Sequence, residues 1–287
     1  MKLATISVRG IEQAAVVTPG GYVLMETVNQ LEGTGWSTDM FELVASGQLA
    51  GLTDWYNEGG WEALEGLERV ALSEAQAAPL YRHPRKIWGI GMNYVTDPEE
   101  LKHVPEGSEP VSFMKPDTTI IGPGNAIRLP VQSAEVTAEA ELAIIIGKEC
   151  RSIEAEEAGA YIAGYAAALD VTAADIHARN QRFLTRAKSF DTFFSFGSEL
   201  LTADAVDDVA ALQVETWHNG EQRHVNVISN MRYQPSLIVA FHSQVMTLLP
   251  GDVILTGTPG AVLIRDGDTV QCRISGGLSP LCNPVSV

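Results

Sequence analysis

Short apolar segments separated by turn residues constrain the fold of this chain most strongly. Five of them are typical of strands: KIWGIGMNY, ELAIIIG, LQVETWHNG, VILTG and VQCRISG. Three others have a helical pattern: SIEAEEAGAYIAGY, VTAADIHARNQRF and PSLIVAFHSQVMTL. The strands outnumber the helices, and the two do not alternate along the chain as they do in a doubly wound fold. The pattern therefore disfavours such a fold. It predicts an α+β fold that is mostly β.

The first part of the chain has a different pattern and predicts a separate small unit. The segments LATISV and AAVVT, with the Gly-rich turn at 19–21, indicate a β-rich region, and WEALEGLERVALSEAQ indicates a helix after it. The segment PLYRHP at 79–84 is typical of a linker. We therefore expect a small N-terminal β-rich domain over residues 1–80 and a larger, mostly β second domain over residues 81–287.

The charge balance excludes several kinds of partner. The 36 acidic and 19 basic residues give a net charge of −17, and such a field repels nucleic acid and anionic membrane surfaces. A site for an acidic metabolite in this chain needs local cations or a bound metal. The three cysteines are too few for a disulfide framework, and no secretory signal or membrane span is evident, so we expect a reduced, cytoplasmic protein.

Three carboxylates suggest a metal site. Glu139 and Glu141 precede the apolar run LAIIIG, and residues two apart on a strand point to the same face. Asp170 ends the apolar run AGYAAALD, where an acidic side chain needs a partner if it is buried. Carboxylates without His or Cys companions favour Mg²⁺ or Mn²⁺. Spacing alone leaves open the alternative of an exposed glutamate pair with Asp170 as a helix cap before Thr172.

Two further positions are candidates for binding an anionic substrate. Lys188 follows a basic patch (Arg179, Arg182 and Arg186), where a substrate carboxylate or enolate can be met in an otherwise acidic chain. The alternative is a surface lysine paired with Asp191. The turn at 256–260 follows VILTG and can direct backbone N–H groups or the Thr258 hydroxyl at an anion, although a tight turn alone explains the sequence equally well.

The order of several motifs resembles the fumarylacetoacetate hydrolase family. These motifs are GIGMNY, PVSFMKP, GPGNAI, AEAELAIIIG, AGYAAALDVTAAD, AKSFDTF, HNGE, LLPGDVILTGTP and LCNPV, and they span roughly residues 86–287 in unbroken order. The resemblance implies a mixed β-roll catalytic domain, usually a homodimer, that binds Mg²⁺ or Mn²⁺. It places the metal ligands on Glu139, Glu141 and Asp170, and the substrate-facing lysine and threonine on Lys188 and Thr258.

The resemblance also implies a substrate class. Family members act on small 2-oxo and 2,4-dioxo acids, and a bound metal polarises the ketone. Our first expectation is a hydrolase that cleaves a C–C bond in an acylpyruvate or related 2,4-dioxo acid. Alternatives are an isomerase or tautomerase of a hydroxydienoate, a decarboxylase of an oxaloacetate-like acid and, from another class, a non-catalytic metabolite-binding protein.

The sequence departs from the family pattern in its lid. The family often has a histidine and a glutamate three residues apart after its Asn-Tyr pair, and these positions hold Asp97 and Glu100 here. Glu100 is therefore a candidate catalytic residue. Asp97 is a weaker base than imidazole at neutral pH, and the nearby His103 is a candidate replacement.

A second departure follows the third expected ligand. Ala174 stands where many members have arginine, and His177 stands where a substrate-binding amide is usual. A helix that begins near Thr172 places His177 two turns beyond Asp170 and on the same side. We therefore expect His177 to bind a substrate oxygen or to act as the acid/base group, the alternative being a polar histidine on a helix face.

Overall fold

A computed structural model describes residues 1–105 and 107–287. The strands in these ranges, numbered in chain order, are β1 (Lys2–Val8), β2 (Ile11–Thr18), β3 (Gly21–Leu24), β4 (Gln76–Ala77), β5 (Ile87–Gly91), β6 (Val111–Lys115), β7 (Ile120–Ile121), β8 (Ile127–Arg128), β9 (Val136–Ile146), β10 (Ile162–Ala173), β11 (Phe194–Phe196), β12 (Glu199–Thr202), β13 (Gln213–His218), β14 (Glu221–Val227), β15 (Val253–Leu255), β16 (Ala261–Ile264), β17 (Thr269–Ile274) and β18 (Leu281–Ser286). The α-helices are α1 (Met25–Glu32), α2 (Met40–Ala45), α3 (Gln48–Trp55), α4 (Trp61–Ala63), α5 (Ala174–Arg179), α6 (Leu184–Lys188) and α7 (Pro235–Val245).

The strands form two sheets. The larger sheet has 13 strands, and its main path runs β3-β2-β1-β12-β10-β9-β15-β5-β6. The smaller sheet has five strands in the order β14-β13-β17-β18-β8. The predicted α+β, mostly β fold is confirmed, and all five strand segments expected from the sequence contain a strand.

The central strands β9 and β10 are buried on both faces. Along β9, Leu142, Ile144 and Ile146 pack into one hydrophobic core, while Ala143 and Ile145 pack into a second core on the opposite face. A strand covered on both sides cannot alternate with polar residues, which explains the continuous run LAIII. Because side chains alternate with a period of two, Glu139 and Glu141 share the face of Ala143 and Ile145.

The N-terminal region joins the large sheet directly. Its strand β1 pairs with β12, so that Lys2 lies opposite Leu201 and Leu3 opposite Leu200. Backbone hydrogen bonds therefore cross the predicted boundary near residue 80, while the division of the chain into two domains stays a prediction. This region also contains α1 to α3, which the sequence analysis missed; Asp39 begins α2 by accepting a hydrogen bond from the Glu42 N–H.

Two predicted helices are wrong over most of their length. The segment at 61–76 is helical only as far as Gly66, because Arg69 donates to the Leu64 and Glu65 carbonyls at the helix end and Val70 pairs with Tyr22. The segment at 152–165 forms a 3₁₀ helix over Ala155–Tyr161 and then enters β10. Pairing with β9 overrides the helical propensity of its alanines.

The other two helical predictions are confirmed in part. The segment at 235–248 contains α7, which begins at Pro235, a residue favoured in the first helical turn. The segment at 171–183 contains α5, but Thr172 belongs to β10 and the helix begins at Ala174. Among the described residues, no helix is both long enough and apolar enough to cross a membrane.

Candidate metal centre

The three predicted carboxylates meet across the antiparallel pair β9 and β10. Asp170 lies directly opposite Glu139, and Glu141 lies opposite Ala168 on the same face. One carboxylate oxygen from each of the three residues lies within 4.8 Å of the others. Glu141 and Asp170 are buried, with 1% and 0% exposure, and Glu139 is half-buried. The alternative of a helix cap at Asp170 is wrong, because this residue lies inside β10.

Two buried lysines neutralise part of this charge. Lys188 Nζ lies 2.9 Å from Glu139 Oε2 and also donates to Asp170 Oδ2. Lys115 Nζ lies 2.7 Å from Asp170 Oδ1 and donates to the Lys188 carbonyl. The alternative of a surface Lys188 paired with Asp191 is therefore wrong. Lys115 is a site residue that the sequence analysis missed, although the motif PVSFMKP that contains it was noted.

The turn after β15 fixes the position of Glu141. The Gly257 N–H donates to Glu141 Oε2 at 2.6 Å, and Asn93 Nδ2 donates to the Thr256 carbonyl at 2.8 Å. Gly257 has a φ of +96°, and a Cβ atom there would lie 2.9 Å from the Asn93 Cβ, so the turn requires glycine. The motif TGTPG thus positions a metal-ligand candidate, and its Thr258 side chain lines the adjoining cavity.

An aromatic ring supports Lys188 from the other side. The Lys188 Nζ lies 4.7 Å from the centroid of the Phe113 ring, within the range of a cation–π interaction. Phe113 lies opposite Gly89 in the pair β5 and β6, and a Cβ at Gly89 would lie 2.2 Å from the ring. Gly89, the first glycine of the motif GIGMNY, therefore leaves space for Phe113.

The buried charges shift one another's ionisation. Burial raises the pKa of Glu141 well above its ordinary value, and the neighbouring Asp170 and Glu139 raise it further. Burial opposes ionisation of Asp170 as well, but Lys115 and Lys188 hold the pKa of Asp170 below its ordinary value. Burial alone would lower the pKa of Lys188, but the carboxylates of Asp170, Glu139 and Glu141 raise it. Burial lowers the pKa of Lys115.

This donor set fits a hard divalent cation. All three converging groups supply oxygen atoms, which Mg²⁺ and Mn²⁺ prefer. With both lysines protonated and all three carboxylates ionised, the cluster carries one net negative charge. A buried cluster of that charge is stabilised by a cation. Glu139, Glu141 and Asp170 are therefore the residues that would hold the ion.

A cavity of about 550 Å³ opens beside the carboxylates. Its lining includes the candidate site residues Glu139, Glu141, His177, Lys188 and Thr258. His177 lines the same cavity as Glu139 and Glu141, because α5 follows β10 directly. The helical repeat that the sequence analysis used for this placement is wrong, since Asp170 lies in a strand.

Other candidates lie elsewhere. Glu100 does not line the cavity; its carboxylate accepts a hydrogen bond from the Asp97 N–H at 3.2 Å in a capping box and lies 3.7 Å from Arg232. His103 is exposed in the same 3₁₀ helix. The side chains of the basic patch (Arg179, Arg182 and Arg186) are exposed and do not line the cavity, so only Lys188 of that segment supplies a cation to it.

Binding of the metal should release protons. Because the pKa of Glu141 is raised, this carboxyl holds its proton to higher pH in the metal-free protein, and a metal ligand must give up that proton. Affinity for Mn²⁺ should therefore rise with pH. Calorimetry in buffers of different ionisation enthalpy should show that protons are released when the ion binds, and that fewer are released as the pH rises. Affinity that is independent of pH, with no proton released, would contradict this reading of Glu141.

Comparison with known proteins assigns the chain to a family. The model for the fumarylacetoacetate (FAA) hydrolase C-terminal domain matches residues 86–286. The chain therefore belongs to the fumarylacetoacetate hydrolase family, a family of enzymes that process small organic acids, as the order of its motifs predicted.

Relatives within this family carry out different reactions. Human mitochondrial oxaloacetate tautomerase FAHD2B is 40% identical over 200 residues, which cover 67% of this chain and 63% of that protein. The fumarylacetoacetate hydrolase of Exiguobacterium antarcticum has a TM-score of 0.85 at 29% identity, covering 100% of this chain and 99% of the other. Maleylpyruvate hydrolase from Sphingobium sp. SYK-6, solved with manganese(II) and pyruvate, has a TM-score of 0.80 at 29% identity, with the same coverage of both chains.

Proposed function

We propose that this protein is a Mg²⁺- or Mn²⁺-dependent tautomerase that interconverts the keto and enol forms of a small 2-oxo acid. One observation carries the proposal: the cavity places Lys188, His177 and Thr258 beside the metal-ligand candidates, whereas Glu100 lies outside its lining. Keto–enol interconversion needs a group that moves a proton. It does not need an activated water molecule, whereas hydrolysis does.

Each side chain has a chemical role in this proposal. A divalent ion, when bound, supplies a Lewis acid that polarises the 2-oxo group. Lys188 and Thr258 hold the oxygens of the substrate by donating hydrogen bonds. His177 removes the proton at C3 as the C2–C3 double bond forms. The C2 oxygen takes up one proton from water and the imidazolium returns one to water, so that the neutral imidazole is regenerated and the mass of the acid is conserved. Imidazole suits this task because it accepts and donates protons near neutral pH.

The relatives support keto–enol chemistry without settling the reaction. The human relative that is 40% identical is named an oxaloacetate tautomerase, and this chain matches 63% of its length. The region that matches the family model, residues 86–286, contains every residue that lines the cavity. A cytoplasmic location and a homodimeric assembly stay predictions.

Hydrolysis of a C–C bond in an acylpyruvate is the second candidate. The structural likeness to maleylpyruvate hydrolase favours it, because that enzyme was solved with manganese and pyruvate. A hydrolase that uses Glu100 to activate water would require the 3₁₀ helix Pro98–His103 to release Glu100 from its capping box so that its carboxylate can reach the cavity. Product analysis separates the two reactions.

The test combines product analysis with a variant of His177. With Mg²⁺ or Mn²⁺ and a series of oxaloacetate, phenylpyruvate and acetylpyruvate, we expect accelerated decay of enol absorbance with the mass of the acid conserved. His177→Gln, which introduces an amide, should lower the rate by about 100-fold while Mn²⁺ affinity stays the same. His103→Gln is the matched control on an exposed histidine and should retain the wild-type rate.

Other results would assign a different function. Release of two fragments from acetylpyruvate would favour the hydrolase, and release of CO₂ from oxaloacetate a decarboxylase. Binding of these acids without any turnover would favour a metabolite-binding protein. An unchanged rate in His177→Gln would contradict the role given to His177.

A further inference from the structure

We infer that the cavity selects a 2-oxo acid with a single carboxylate and an apolar group at its far end, in preference to a dicarboxylate such as oxaloacetate. The inference rests on the proposed function, because it takes the carboxylate-lined end of the cavity as the place where the 2-oxo acid binds. It concerns the remainder of the cavity lining, which would contact the rest of the substrate.

The charge of the cluster matches a monoacid. With the three carboxylates ionised and the two lysines protonated, the cluster has a formal charge of −1, and a divalent ion would change this to +1. A 2-oxo acid with one carboxylate then brings the buried site to neutrality. A second carboxylate would leave a net negative charge in a chain whose overall charge is already −17.

Apart from the carboxylates, Lys188 and His177, the cavity lining is apolar or uncharged. Val95, Val111, Phe113 and Leu184 supply apolar surface, and Thr96, Gln181 and Asn226 supply uncharged polar groups. Among the described residues that line the cavity, Lys188 is the only lysine or arginine, and its ammonium group already contacts Glu139 and Asp170. A distal carboxylate would therefore lose water without gaining a lysine or arginine partner.

The nearby arginines, Arg179, Arg182 and Arg186, do not line the cavity. Leu184 and Lys188 are four residues apart on α6 and both line the cavity, so they occupy one face of the helix. Arg186 lies midway between them, on the opposite face, and its guanidinium lies 5.9 Å from the Phe183 ring. Arg179 lies 3.8 Å from Asp175. Arg179 and Arg186 are exposed and do not provide a carboxylate-binding pair inside the cavity.

The inference is tested by comparing acids that share a 2-oxo carboxylate and differ at the far end. Phenylpyruvate and 4-methyl-2-oxopentanoate have apolar ends, whereas oxaloacetate has a second carboxylate. On Mg²⁺-loaded protein we expect both apolar acids to bind at least about tenfold more tightly than oxaloacetate by calorimetry. Equal or tighter binding of oxaloacetate would overturn the inference.

A substitution at the rim should reverse the preference. Val111 lines the cavity and is 44% exposed, so Val111→Arg introduces a cation there without burying it. We expect this variant to improve oxaloacetate binding relative to phenylpyruvate by about tenfold. Val131→Arg is the matched control, because Val131 is fully exposed and does not line the cavity. An unchanged ratio in Val111→Arg would also count against the inference.

These measurements separate the inference from the proposed function. Turnover is followed for the same acids. Tautomerase activity with a preference for oxaloacetate would support the proposed function and contradict the inference. Absence of turnover for every acid would contradict the proposed function. The ratio of dissociation constants would still show whether the cavity prefers acids with an apolar end.

Discussion

Glu141→Gln is expected to abolish metal-dependent turnover while leaving the metal-free protein at least as stable as the wild type. Glutamine keeps the size of the side chain and an oxygen that can accept the Gly257 N–H. It removes the negative charge of a buried metal-ligand candidate, and loss even of a residue that only supports a metal ligand costs about 10–100-fold. We therefore expect Mn²⁺ affinity and turnover to fall by more than about 100-fold.

The stability result follows from the sign of the pKa shift. A carboxyl whose pKa is raised on folding contributes stability at low pH, and this contribution is lost as pH rises and the buried group ionises. A neutral glutamine does not incur that loss, so urea unfolding near neutral pH should show an equal or higher unfolding free energy. Glu149→Gln is the matched control on an exposed glutamate beyond the end of β9. Turnover and metal affinity close to wild type in Glu141→Gln would contradict the assignment of this ligand.

Lys115→Met is expected to be among the most destabilising single substitutions in the chain. The Lys115 side chain is fully buried, and its ammonium contacts the equally buried Asp170. Methionine fills similar space but leaves Asp170 without one of its two cationic partners. Removing one partner of a buried ion pair costs about 3–5 kcal/mol, because the other charge stays buried and uncompensated.

Urea unfolding of the metal-free protein measures this effect. Lys102→Met is the control, because the Lys102 side chain is 68% exposed and, among the residues that the structure describes, pairs with the exposed Glu99 on the same turn. An exposed pair of this kind contributes at most about 1 kcal/mol. A Lys115→Met variant as stable as Lys102→Met would show that Lys188 alone compensates Asp170.

Two of the three ligand candidates were predictable because their relative position depends only on neighbouring sequence. Glu139 and Glu141 are two apart at the start of an apolar run, so their shared face follows from strand geometry. The approach of Asp170 does not follow from spacing, because it depends on the register between β9 and β10. Asp170 was singled out by the apolar run that it ends, and the order of the family motifs supported it as the third ligand. The structure shows that the three carboxylates converge.

Lys115 is a site residue that the sequence did not predict. It lies on β6 and reaches Asp170 on β10 through tertiary packing, and no local pattern marks a lysine that will be fully buried. A lysine at the end of an apolar strand in an acidic chain was the available signal. The strand β10 was missed for a related reason, since alanine and glycine favour no strand until β9 supplies a partner.

The measurement that tests the account most directly is anomalous diffraction from crystals grown with Mn²⁺. The account predicts one manganese peak per chain, within coordination distance of carboxylate oxygens from Glu139, Glu141 and Asp170 and beside the cavity that His177 and Thr258 line. A manganese ion bound elsewhere, or fully occupied crystals in which these three side chains contact only Lys115 and Lys188, would contradict it.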